Sequence, residues 1–161
     1  MERMDREDFT ARTVCIEQRL YRVSCAILRC EQDREDAMQE AMLRAWRALH
    51  TLRDERYFET WLTRILINEC KSLLRQKRRH TNVPLEAALS LAQDEPDDPG
   101  LYRALHTLNV DERIVLTLRF VNGYTIDETA DMLRMTRAMV RYRTGRAKEH
   151  LSRALEKEAA E

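Results

Sequence analysis

Residues 58–79 read FETWLTRILINECKSLLRQKRR. Phe58, Leu62, Ile65, Leu66 and Leu73 recur at helical spacing and define one apolar face. Opposite them lie Arg64, Asn68, Lys71, Arg75 and Arg78, spaced i, i+4, i+7, i+11 and i+14. On a helix that spacing is one continuous stripe. No Gly or Pro interrupts the run, and Lys77 and Arg79 extend its charge. Two residues break the pattern: Glu69 falls on the core side and Ile67 near the outer side. Four cations and an amide on one face suit a row of phosphates and one base edge. Tyr57, Phe58 and Trp61 cluster where the helix begins, and aromatics beside a basic stripe can stack on unpaired bases. A solvated basic face over core aromatics fits the same spacing.

The rest of the chain is equally helical in character. It has 161 residues, with 35% charged, 43% apolar, 3 Gly and 3 Pro. So few turn formers argue against an all-β fold and against glycine-rich phosphate loops. No apolar run approaches the ~18 residues of a membrane span. No basic start followed by an apolar stretch marks secretion, so a cytoplasmic protein without membrane insertion is expected. Cys15, Cys25, Cys30 and Cys70 form no CxxC pair, and His50, His80, His106 and His150 form no ligand motif. Reduced cysteines, no metal site and no cofactor are expected. No nucleophile–base signature appears, so an enzyme is not expected.

Lys+Arg and Asp+Glu both number 28, for zero net charge, but the charge is unevenly placed. Residues 1–80 carry 17 basic and 14 acidic side chains; residues 81–99 carry 5 acidic and none basic; residues 100–161 carry 11 basic and 9 acidic. Distribution matters more than the sum for polyanion binding. The expected fold is all-α. Residues 1–80 form a three-helix bundle, with helices over about 8–30, from after Asp33 to Leu52, and 57–79. Glu31-Gln32-Asp33 and Arg53-Asp54-Glu55-Arg56 are read as joints. Residues 81–99 form an acidic, Pro-broken linker with a possible short helix over Leu85–Ala92. Residues 100–161 form four helices near 100–108, 111–121, 126–133 and 137–156. Asn122-Gly123 is the stop after the second, and Thr125 with Glu128 is the capping box of the third. Two small domains on such a linker are expected to move relative to each other.

In residues 36–50, Met38, Ala41, Met42, Ala45 and Leu49 gather on one face, with Trp46 at its border. The opposite face holds Asp36, Gln39, Glu40, Leu43 and Arg47. Leu43 in the middle of a polar face is either a lone exposed leucine or the anchor of a docking surface. Near the C-terminus, Ile126, Thr129, Ala130 and Leu133 face inward on one helix; Arg134-Met135-Thr136 turns the chain, with Thr136 as N-cap. The next helix buries Val140, Thr144, Ala147 and Leu151 and presents Ala138, Arg141, Tyr142, Gly145 and Arg146, with Arg137, Arg143 and Lys148 nearby. Six basic and no acidic residues lie among the charged positions of this turn and reading face, as a helix entering the major groove requires. An ordinary helical hairpin is the plainer alternative.

Together these segments resemble the extracytoplasmic-function group of bacterial RNA polymerase sigma factors, in the sigma-70 family. Asp33–Glu40 with Leu43-Arg44-Ala45-Trp46 resembles its polymerase-binding segment. Trp61–Asn68 with Leu73-Leu74-Arg75 and the basic end resembles its promoter −10 helix. Leu105–Arg113 with Leu116–Phe120 resembles the start of its C-terminal domain, and Gly123–Ala130 leads into its −35-reading helix pair. The resemblance implies a region 2-like domain over 1–80, a linker over 81–99 and a region 4-like domain over 100–161. It implies that the Leu43 face binds the β′ coiled coil of core RNA polymerase, with the β flap as a further contact. It implies that Tyr57, Phe58, Trp61, Arg64, Asn68, Lys71, Arg75 and Arg78 melt and hold the −10 element. It implies that Thr136, Arg137, Arg141, Tyr142, Arg143 and Arg146 read duplex −35 DNA, and that an anti-sigma factor holds the free protein. Arg134 replaces the family's turn Gly, Ala138-Met139 replaces its Gly-Thr, and Tyr142 and Gly145 are unusual on the reading face, so an unusual −35 sequence is expected. A stand-alone helix-turn-helix regulator would explain residues 100–161 but not the Leu43 face or the stripe; a purely protein-binding adaptor would lack salt-dependent DNA affinity.

Overall fold

The computed structural model describes residues 3–80 and 99–160. Residues 81–98 of the expected linker, with its short helix, lie outside the described residues, and Pro99, read as the linker's end, begins a helix. The helices are α1 (Arg6–Ile27), α2 (Glu31–Arg47), α3 (Phe58–His80), α4 (Pro99–Leu105), α5 (Val110–Leu116), α6 (Ile126–Leu133) and α7 (Arg137–Ala159). Local chemistry sets most of their ends. Asp5 caps α1 by accepting from the Asp8 N–H at 2.8 Å. Glu31-Gln32-Asp33, expected as a joint, is instead the first turn of α2. Carboxylates there favour the positive end of the helix dipole. The same helix stops at Arg47, and the expected remainder forms a tighter turn over Leu49–Thr51. A second such turn, Glu55–Tyr57, is capped by Asp54 and leads into α3.

In the N-terminal unit α1, α2 and α3 each pack against the other two. Leu20, Val23, Ile27, Leu62 and Leu66 fill the centre, and small residues Ala37, Ala41 and Ala45 line the buried side of α2. In the C-terminal unit Asn109 caps α5 by accepting from the Glu112 N–H at 2.9 Å. The helix then widens by one residue over Thr117–Val121, where the Asn122 N–H donates to Thr117 O at 2.9 Å. Gly123 follows with φ of 73°, a conformation open to glycine, and ends the segment. Thr125 and Thr136 cap α6 and α7 as expected, each accepting from the N–H three residues on at 3.1 Å.

The two units do not stand apart. Ile114, Leu118, Tyr124 and Met132 belong to the same apolar core as Leu20, Ile27, Leu62 and Leu66. A second cluster joins Cys25 of α1 to Tyr102, Leu105, Leu116 and Ala147. This differs from the expected pair of freely moving domains: α5 packs on α1, and α6 packs on α3.

Candidate nucleic-acid interface

The polar face of α2 is open to solvent. Leu43 is 50% exposed at its centre, with Trp46 at 43% beside it. Asp36, Gln39 and Arg47 are exposed around it. Short bonds order the carboxylates: Gln32 Nε2 donates to Asp36 at 3.1 Å, and Arg44 bonds Glu40 at 3.1 Å. Arg44 also reaches Glu69 of α3 at 2.7 Å. That ion pair explains Glu69, which sits toward the core because a cation on α2 meets it there.

On α3, Asn68, Arg75 and Arg78 are exposed, while Arg64 and Lys71 are half-buried. Lys71 Nζ lies 3.0 Å from Asp111 of α5. The Arg64 guanidinium donates to the main-chain carbonyl of Asp131 on α6. Burial, followed by the nearby Arg134 cation, pushes the Arg64 pKa down. At the start of α3 a cavity of about 390 Å³ is lined by Thr51, Leu52, Arg53, Asp54, Tyr57, Thr60, Trp61, Arg64 and Asp131. Tyr57 and the half-buried Trp61 present aromatic surface to it, next to a guanidinium. Phe58 departs from expectation. It is 4% exposed and packs edge-on against Phe9 at 5.6 Å, so it supports the core and offers no stacking face.

The helix pair α6–α7 puts its basic side outward. Thr136, Arg137, Arg141, Tyr142 and Arg146 are exposed, and Arg143 is half-buried. Arg146 Nη1 donates to the Tyr142 hydroxyl at 3.0 Å and its guanidinium lies 5.8 Å from that ring. Arg137 pairs with Asp127 at 3.0 Å and Arg143 approaches Asp111 at 3.7 Å. In the turn between them Arg134 is left-handed, at φ 53° and ψ 48°.

Ile67, which breaks the pattern in the sequence, is 3% exposed, buried on the side of α3 that its neighbours on the wheel give to solvent. Sequence reasoning passed over other residues that shape these surfaces. Leu52, Arg53 and Thr60 line the cavity without standing on any regular stripe. Tyr124 donates its hydroxyl to Glu59 at 2.6 Å; burial and that carboxylate push its pKa up. Among the described residues no group of three His, Cys, Asp or Glu could hold a metal ion, and no helix is long and apolar enough to cross a membrane.

Residues 15–80 match the family model of Sigma-70 region 2, and residues 100–151 match that of Sigma-70, region 4. The ECF RNA polymerase sigma factor SigM of Mycobacterium tuberculosis is 33% identical over 141 residues, which span 86% of this chain and 72% of that protein. The chain belongs to the extracytoplasmic-function sigma factors. The ECF RNA polymerase sigma-E factor of Escherichia coli K12 is similar at 28% identity over 169 residues, covering 92% of this chain and 88% of that one. Among solved structures, CnrH in complex with the cytosolic domain of CnrY superposes with a TM-score of 0.75 at 26% identity, over 95% of this chain and 90% of that one. As a sigma factor the protein binds RNA polymerase and directs initiation at particular promoters. The exposed face of α2, the stripe on α3 and every cavity-lining residue but Asp131 fall within the region 2 match, and Asp131, the rest of α6 and the first half of α7 fall within the region 4 match.

Proposed function

We propose that this sigma factor divides its work among three surfaces. Asp36, Gln39, Glu40, Leu43 and Arg47 dock on the β′ coiled coil of core polymerase, with Leu43 as apolar anchor. Tyr57, Trp61, Arg64, Asn68, Lys71, Arg75 and Arg78 hold the melted −10 element. The cavity before α3 takes an extruded base, which returns part of the unstacking cost. Thr136, Arg137, Arg141, Tyr142, Arg143 and Arg146 read the −35 duplex from the major groove. The protein works in the cytoplasm, carries no catalysis of its own, and is held when idle by an anti-sigma partner. CnrH, whose structure is similar, is bound by the cytosolic domain of CnrY. Residues 1–80, 81–99 and 100–161 serve as region 2-like domain, linker and region 4-like domain.

The observation that carries this assignment is Leu43, half exposed in the centre of an otherwise polar face. A free helix-turn-helix regulator has no use for it. The test is binding of labelled protein to bacterial core RNA polymerase. Leu43→Ala is expected to weaken binding by about 1–3 kcal/mol, the range of an interface anchor. Unchanged affinity would remove the α2 face from the docking site.

A further inference from the structure

The outward line of α7 carries one large side chain. Ala138, Tyr142 and Gly145 stand at i, i+4 and i+7, opposite the buried Val140 and Ala147. Tyr142 is 59% exposed, and with small residues on both sides its ring is the one projection of that stretch. Arg141 and Arg146 flank the line on opposite sides. Glu149 comes next along it, and phosphates repel a carboxylate, so the DNA-facing stretch stops before it. We propose that Tyr142 sets the −35 specificity of this protein: its ring reads the 5-methyl group of a thymine, and its hydroxyl positions Arg146 on a bordering phosphate. The proposal rests on α7 being the −35 reader and names what it reads there.

Arg146 Nη1 donates to the Tyr142 hydroxyl at 3.0 Å, and its guanidinium carbon lies 5.8 Å from the ring centre. That bond holds a long exposed side chain in one geometry before DNA arrives, which lowers the entropy lost on binding. It holds the ring as well, since the two residues stand one turn apart. A guanidinium has five N–H donors, so the held Arg146 keeps donors for a phosphate. The ring is uncharged and cannot make the two-point bond by which arginine picks guanine. The apolar group that the major groove presents is the thymine methyl. An aromatic face at the centre of the line therefore selects thymine.

The neighbours of Tyr142 fit this role. A Cβ built at Gly145 meets nothing within 4 Å, so packing does not require glycine there, and glycine is a poor helix former. The missing side chain admits the groove edge beside the ring. Arg137 is tied to Asp127 at 3.0 Å, and half-buried Arg143 lies 3.7 Å from Asp111, so neither is placed on the line. Met139, 44% exposed, is the other apolar candidate, but it stands to one side of the line and serves as the control.

The test uses holoenzyme assembled from the full-length protein and bacterial core polymerase. Selection from duplexes randomised over the −35 segment gives a preferred sequence. Each of its thymines is then replaced singly by deoxyuridine, which removes only the 5-methyl group. At one thymine this is expected to weaken binding about fourfold, the worth of one buried methyl group. Tyr142→Ala should bind that thymine duplex and its uracil form equally, while Met139→Ala keeps the difference. Tyr142→Phe should also keep it, but with a salt slope shallower by about 0.9, one phosphate contact on duplex DNA. Arg146→Gln should flatten the slope by the same amount and add nothing to Tyr142→Phe. Tyr142 is exposed, so these variants keep the fold, and circular dichroism checks their helicity. A purely structural tyrosine would not move methyl discrimination. A selected sequence in which no thymine responds to uracil overturns the proposal, as does discrimination that survives Tyr142→Ala or vanishes in Met139→Ala alone. An unchanged slope in Tyr142→Phe overturns the positioning of Arg146. A selection that enriches no base upstream of the −10 element fails the −35 reading itself, and the proposal falls with it.

Discussion

Arg134 carries a local cost that one substitution can remove. Its left-handed backbone costs a residue with a Cβ of order 1–2 kcal/mol. Glycine avoids that cost but loses more chain entropy on folding, which returns part of the gain. Arg134→Gly also takes a cation away from Arg64. It is expected to raise the unfolding free energy by about 1 kcal/mol in urea titrations; an unchanged midpoint would mean that the turn is not left-handed in solution. Arg141 poses the complementary question of specificity. It is exposed on the outward side of α7, where Arg137 is tied to Asp127 and Arg146 to Tyr142. Arg141→Ala is expected to relax −35 preference at one base pair by about 1–3 kcal/mol in competition binding with duplex variants. Equal weakening on every duplex would make Arg141 a phosphate contact. Both residues were legible because their signals are local: a missing glycine in a turn, a cation at a fixed offset from the N-cap Thr136. Phe58 was not, since an aromatic at the start of a helix reads the same whether it faces core or solvent until Phe9 is placed against it.

Helical periodicity shows which face an element buries only if it has one neighbour. For α3 the pattern of Phe58, Leu62 and Leu66 located the core, and the stripe from Arg64 to Arg78 located the polar side. The two exceptions mark additional neighbours: Glu69 meets Arg44 of α2, and Ile67 is buried with the apolar core shared with the C-terminal unit. Those exceptions were visible in the sequence, but their cause lay in other elements. In α7 the irregular feature is Gly145, in the middle of a helix of 23 residues. A Cβ built there meets nothing within 4 Å. Gly145→Ala is therefore expected to stabilise the protein by about 0.5–1 kcal/mol, seen as a higher Tm, because glycine is that much poorer than alanine inside a helix. No gain would imply that the middle of α7 is not continuous helix in solution. A stabilised variant with weaker −35 binding would show that the missing side chain serves close approach to DNA.

At the scale of the molecule, all-α architecture and the order of its surfaces were legible, but closure was not. Arg113, Asn122 and His106 are polar residues of short C-terminal segments, and no apolar pattern marks them for burial. Their partners are main-chain carbonyls of α1 some eighty to a hundred residues earlier, which carry no sequence signature. His106 makes that closure sensitive to acid. Burial first, then Arg113 and Arg29, pushes its pKa down to about 3. Its Nε2 proton is used on Cys25 O, and its Nδ1 is buried without a hydrogen-bond partner. The ring is thus neutral in the closed form, whereas in an unfolded chain it titrates near 6.5. A depressed pKa contributes stability that is present in full above the unfolded value and is lost as pH falls toward the folded one. Between about pH 6.5 and pH 3 the unfolded chain takes up a proton that the closed form refuses, so acid favours the unfolded state. The same linkage acts on any opening that exposes His106. His106→Gln keeps a donor for Cys25 O but cannot titrate. Urea midpoints for both proteins from about pH 7 to about pH 4 share the same carboxylate titrations, so their difference isolates the ring. Wild type is expected to lose more stability than His106→Gln over that window, and parallel curves would mean that His106 is not held neutral at the seam.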